Sequence, residues 1–131
     1  MSHVLTLEPK GSYLVVTVTG DNTPEDVAEY LSEVREACLK HQFARVLIAE
    51  NLQGPSLRIF SIHDIVTRSS QSVWPEIHRI AYVDLNPEHS RSGMHFAETV
   101  AVNRGVNMRV FSNVTDAAQW LEDRVHDKSV S

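Results

Sequence analysis

The sequence predicts an α/β fold, a mostly parallel sheet covered by helices, on three observations. Residues 44–49 (ARVLIA) and 79–85 (RIAYVDL) are near-continuous apolar runs, the signature of strands covered on both faces. Around them, apolar residues recur at helical spacing, so strands alternate with helices through short connections. The chain also opens with two extended stretches separated by Pro9-Lys10-Gly11, which is turn chemistry at hairpin spacing. The predicted order is ββαβαβαβα: a mixed, mostly parallel β-sheet with an N-terminal hairpin and about four helices.

Each element has a local reason. In the second strand Leu14, Val16 and Val18 point to one face, and Tyr13, Val15, Thr17 and Thr19 to the other; β-branched residues dominate. Thr23-Pro24-Glu25-Asp26 reads as a helix start, with Thr23 as N-cap, Pro24 where a missing N–H costs nothing, and acids at the positive end of the dipole. Val27, Leu31, Val34 and Cys38 then form the inward stripe of that helix. The segment ENLQGPSLRIFSIHD, residues 50–64, leads into a second helical pattern containing Ile62, Ile65 and Val66, and Trp74-Pro75 breaks it. Asn86-Pro87 stops the second buried strand. A third helix runs from Ser90 or Ser92 to Asn103, with Phe96, Ala97, Val100 and Ala101 inward and Gly105 as C-cap. Residues 106–111 form a short strand with one wetter face. Asn113-Val114-Thr115-Asp116 resembles a capping box ahead of a last helix lined by Val114, Ala117, Ala118, Leu121 and Val125.

Composition removes several function classes. The 131 residues carry a formal net charge of −5 and are 42% hydrophobic, values of an ordinary globular chain. The acidic balance disfavours nucleic acid, which needs clustered Lys and Arg. No apolar stretch approaches the ~20 residues of a membrane span. The single cysteine and the lack of a secretory signal pattern point to a reducing, cytoplasmic setting.

The element order, the Gly20-Asp21 turn into the first helix, the two apolar strands and the closing VFSNVTDAAQWLED resemble the STAS domains, and most closely their SpoIIAA-like (STAS/SEC14-like) branch. Phe111, Ala117, Ala118, Trp120 and Leu121 carry the terminal part of that resemblance. It covers the chain from about Val4 to Glu122; with the length of one domain, the expected division is a STAS-like domain over residues 1–126 and a mobile terminal tail at 127–131. The resemblance implies a small cytoplasmic regulatory or binding module rather than an enzyme. In the sporulation anti-anti-sigma factors of the superfamily, a serine at the start of the second helix is phosphorylated within an Asp-Ser-Ser-Gly-like turn. Here Ile59-Phe60-Ser61-Ile62 stands in that place, without the preceding acid or the following glycine.

Ser61 therefore has two readings. It lies three residues before Asp64, at capping-box spacing, which makes it an N-cap hydroxyl; the resemblance makes it a phospho-switch. Ser56 is the cap if the helix starts earlier. No Gly-x-Ser-x-Gly elbow occurs, and Cys38 on the inward stripe is a packed small hydrophobe. His89, His95 and Glu98, with His63 from another loop, have only generic ligand spacing, so no metal or cofactor is expected.

Recognition is expected at the carboxyl ends of the parallel strands, where ligands gather in open α/β sheets. Glu50, Asn51 and Gln53 come from one loop, and Asp84, Asn86, Glu88, His89, Ser90 and Arg91 from another. Leu57, Ile59, Phe60, Ile62, Val73 and Trp74 surround the second helix as core or as an apolar surface. The expected function is non-enzymatic docking of a protein partner through that helix and both loops, as a homodimer. The alternative is a carrier or sensor of a small apolar or lipid-like ligand. Docking predicts an exposed apolar patch, and carriage an internal cavity of roughly 300 Å³ or more.

Overall fold

The computed structural model describes residues 3–70 and 77–123. Trp74, Val73 and the tail at 127–131 lie outside the described residues. The elements are β1 (His3–Lys10), β2 (Tyr13–Asp21), α1 (Pro24–His41), β3 (Arg45–Gln53), α2 (Ile59–Ser70), β4 (Arg79–Asp84), α3 (Arg91–Asn103), β5 (Met108–Phe111) and α4 (Val114–Glu122). This is the predicted order.

The five strands form one sheet in the order β1-β2-β3-β4-β5. β1 pairs antiparallel with β2 through the hairpin, and every other neighbour is parallel. The two apolar runs thus lie inside the sheet, each flanked by a strand on both sides. Their alternation divides the core into two layers. Leu14, Val16, Val18, Val46, Ile48 and Ile80 face α1, α2 and α3, while Tyr13, Leu47, Ala49, Ala81 and Val83 face Ala117 and Leu121 of α4.

Local signals set the helix starts. The Thr23 hydroxyl accepts the Asp26 N–H at 3.1 Å and donates to the Asp26 carboxylate at 2.9 Å. Asn113 does the same for α4, accepting the Asp116 N–H at 2.8 Å. Gly105, at φ +85°, follows the α3 C-cap residue Arg104, and its N–H reaches the Val102 carbonyl at 3.0 Å.

Two features depart from the sequence reading, and a third lay outside it. Tyr30, rather than the half-buried Leu31, completes the buried stripe of α1 with Val27, Val34 and Cys38. α2 begins at Ile59, so Ser61 lies inside its first turn and is not the N-cap; the Ile62 N–H already bonds the Arg58 carbonyl at 3.0 Å. The arginines that open β3 and β4 are buried: Arg45 donates to the Leu121 carbonyl and Arg79 to the Trp120 carbonyl. Both guanidinium groups meet the negative end of the α4 dipole. They tie the amino-terminal ends of the central strands to that helix, away from the predicted recognition end.

Candidate functional site

Glu50 is the centre of the opposite, carboxyl-terminal end. It sits in register with Asp84 on the neighbouring strand, so period-two alternation places Ile48, Glu50, Tyr82 and Asp84 on one face. Two carboxylates side by side in a dry layer are unfavourable unless donors surround them. Those donors arrive from two directions. Tyr30, on the inward stripe of α1, donates its hydroxyl to Glu50 Oε2, and Tyr82 donates to Glu50 Oε1 at 2.5 Å. Asp84 is held by the Asn86 N–H at 3.0 Å and by His89 Nδ1 at 2.7 Å.

His89 also links two loops. Its Nε2 lies 2.8 Å from the Gly54 carbonyl. A carboxylate and a carbonyl can only accept, so these two short contacts favour a ring protonated on both nitrogens, although the Asn22 and Asn86 side-chain amides also approach Nε2 at 3.5 Å. Burial alone would lower its pKa, but the Asp84 hydrogen bond, the Gly54 carbonyl and the charges of Asp84 and Glu50 hold it above the ordinary 6.5. Asn22 and Asn86 complete the strap, donating to the Pro55 carbonyl at 2.8 Å and the Leu52 carbonyl at 2.7 Å. Gly54, at φ +111°, permits the turn that brings these carbonyls round. The Gly-Pro segment is a pinned turn, with the Ser56 hydroxyl accepting the Ser90 N–H at 2.6 Å.

Burial raises the Glu50 carboxyl above 4.5; the two tyrosine hydroxyls oppose that rise, Asp84 adds to it, and His89 opposes it. The tyrosine hydroxyls are themselves held well above 10 by burial and by the charge of Glu50, so both remain donors. Cys38 lies apart in the core, where burial pushes its thiol to about 11 and keeps it protonated.

Two spaces adjoin this cluster. α2 packs chiefly on α1 and α3 and bridges over the sheet. Beneath it a cavity of about 130 Å³ is lined by Leu57, Ile62, Ile65 and Met94, and closed at its polar end by Tyr30, Glu50, Tyr82, Asp84 and His89. Outside lies a more polar cleft of about 380 Å³, lined by Asp84, Asn86, His89, Arg91 and His95. Asp84, His89 and Met94 belong to both and form the wall between them.

The sequence-predicted residues thus divide. Asn86, His89 and Arg91 meet in the outer cleft, and Leu57 and Ile62 line the inner cavity. Phe60 stands apart at 90% exposure, with Ile59 beside it at 51%. Asn51 is half-buried and Gln53 exposed at the end of β3, where the Gln53 carbonyl accepts the Asn22 N–H at 2.7 Å. Ser90 occupies the α3 N-cap position, but its hydroxyl turns to Ser92 at 2.7 Å instead of capping.

Histidine and carboxylate ligands converge differently from the spacing considered in the sequence. Ligand atoms of Glu50, Asp84 and His89 lie within 4.8 Å of one another, and so do those of His3, Asp26 and Glu29. His95 and Glu98 join neither group, and Glu98 instead accepts the Val110 N–H at 2.8 Å. A cation at Glu50 would have to displace the proton on His89 and compete with both tyrosines. The first cluster is already held by hydrogen bonds from Tyr30, Tyr82 and the Asn86 N–H and by those of His89.

Sequence reasoning overlooked Tyr30 and Tyr82. The signal for Tyr30 was its place on the stripe 27-30-34-38; the signal for Tyr82 was a hydroxyl in an otherwise apolar strand.

The profile of the SpoIIAA-like family matches residues 13–122. Two solved structures share the fold. An anti-sigma factor antagonist from Mycobacterium paratuberculosis superposes with a TM-score of 0.58 at 14% identity, covering 93% of this chain and 96% of its own. A DUF3478-family protein with a SpoIIAA-like fold from Shewanella loihica PV-4 gives 0.54 at 17% identity, covering 92% and 93%. No curated protein sequence matches significantly.

Proposed function

The chain belongs to the SpoIIAA-like family, and from that premise we propose that it is a non-enzymatic regulatory module that docks another protein through the start of α2 and the neighbouring strand-end loops. One observation carries this reading. Phe60 and Ile59 project into water from the first turn of α2, whereas Leu57, Ile62 and Ile65 of the same segment turn inward. An aromatic residue left almost wholly exposed is a typical anchor for a partner's pocket. The structural likeness to an anti-sigma factor antagonist supports a protein partner. The same patch is the proposed contact between two copies of the chain when no partner holds it, and the cytoplasm the proposed setting.

The test compares wild-type protein with an Ile59→Ser/Phe60→Ser variant, each recovered from its native cells with whatever it holds, and each run in sedimentation velocity. The proposal expects a stoichiometric partner, and the dimer, to be present with wild type and lost with the variant. Equal recovery by both proteins would refute it.

A specific observation also favours the small-ligand reading: α2 roofs an apolar cavity. At about 130 Å³ it is smaller than the ~300 Å³ of usual ligand pockets. A lipid-sized occupant would therefore require α2 to move, but a compact molecule would not.

A further inference from the structure

The inner cavity has an uneven hydrogen-bonding inventory. At its polar end every donor of the five cluster residues is committed inward. Tyr30 and Tyr82 give their hydroxyl protons to Glu50, and His89 gives its two to Asp84 and Gly54. Acceptors remain. Each Glu50 oxygen takes one tyrosine hydroxyl and keeps further lone-pair capacity, and each tyrosine oxygen can accept as well. The formal charge of Glu50, Asp84 and an imidazolium His89 sums to minus one. Beside Glu50 an incoming carboxylate or ketone would meet tyrosine hydroxyls whose protons are already given away and, if charged, would be repelled. An incoming hydroxyl or ammonium would find an underused buried carboxylate.

Most of the remaining lining is apolar, with Leu57, Ile65, Val66, Met94, Ala97 and Ala101 facing the space; its other polar members are Asn22, Ser56, Ser69 and Ser90, of which Asn22 donates to the Pro55 carbonyl and the Ser90 hydroxyl pairs with Ser92. A volume of about 130 Å³ is close to that of an engineered apolar cavity of ~150 Å³ that takes benzene. We infer that the cavity beneath α2 binds a compact apolar molecule, about the size of one aromatic ring, that carries a hydrogen-bond donor at one end, and that this donor is received by Glu50. The inference rests on the small-ligand reading of the cavity and adds the chemistry of the ligand's head.

Four probes of matched size decide it in methyl NMR titrations of the full chain: phenol, benzylamine, toluene and benzoate. Phenol, benzylamine or both should shift the methyl signals of Met94, Ala97 and Ala101 and bind at least about tenfold tighter than toluene, the usual worth of a hydrogen bond to a charged group. Benzoate should not bind. Glu50→Gln should bring the donor-bearing probes down to the level of toluene. If that variant does not fold, Tyr82→Phe replaces it: it relieves Glu50 Oε1 of one hydrogen bond and should leave phenol binding intact or tighter. Toluene binding as tightly as phenol and benzylamine would overturn the donor inference while leaving a small-ligand cavity in place. Benzoate binding as tightly as phenol would overturn it too. No shift with any probe would remove both.

Discussion

The Tyr82 hydroxyl on β4 donates to Glu50 Oε1 on β3 at 2.5 Å, across two neighbouring parallel strands. Tyr30 serves the other oxygen from α1. Removing either hydroxyl leaves a buried carboxylate with one donor fewer. Tyr30→Phe and Tyr82→Phe should each lower unfolding free energy by about 1.5–3 kcal/mol in urea titrations, the range for hydrogen bonds to charged groups. Changes within error of wild type would show that Glu50 does not depend on them.

Stability should fall as pH rises above neutrality. The folded pKa of His89 lies above the ordinary 6.5, so its protonated form favours the native state. That contribution is complete below about 6.5 and is lost as pH climbs through the folded value. Asp84 and Glu50 are the charges that face it. His3, whose ring reaches Asp26 and Glu33 at 3.2 Å each, is likewise raised and acts with the same sign. Urea midpoints should be higher at pH 6 than at pH 8.5. The difference should shrink in His89→Gln and shrink further when His3→Gln is added. An unchanged difference in the double variant would contradict the assignment.

The layer beneath α4 should behave as a packed core independent of the site. Leu121 is fully buried against the sheet, and Leu121→Ala should cost about 2–5 kcal/mol. Asn113→Ala, which removes the α4 cap, should cost about 1 kcal/mol. Thermal and urea unfolding measure both, and a Leu121→Ala protein as stable as wild type would mean that α4 is not docked there.

The fold was legible because its signals are local. Thr23-Pro24 and Asn113 announce their helices within four residues, and ARVLIA and RIAYVDL declare strands covered on both faces. The candidate site was legible only in part, because it is assembled across long separations. Tyr30 and Tyr82 stand 20 and 32 residues from Glu50 in sequence, and their meeting depends on strand register and helix rotation. Glu50 read as a loop residue at a strand end, whereas β3 runs on to Gln53 and buries it. Ser61 read as a cap because Asp64 lies at the right spacing, yet the helix begins two residues earlier at Ile59. The burial of Arg45 and Arg79 had no local signal, because the carbonyls that make it tolerable come from the end of α4, distant in sequence.

The exposed start of α2 should be dispensable for folding. Ile59→Ser/Phe60→Ser removes side chains that stand largely in water, so unfolding free energy should stay within about 0.5 kcal/mol of wild type. A large loss would mean that these residues stabilise the domain rather than serve recognition.

Photo-cross-linking from position 60 in the native cells tests the docking function most directly. A photoreactive phenylalanine analogue replaces Phe60 in one protein and Glu122, exposed on α4 across the sheet, in another. The account predicts one dominant cross-linked protein from position 60, absent from position 122 and suppressed by excess wild-type chain but not by the Ile59→Ser/Phe60→Ser variant. The same products from both positions, or none from position 60, would contradict it.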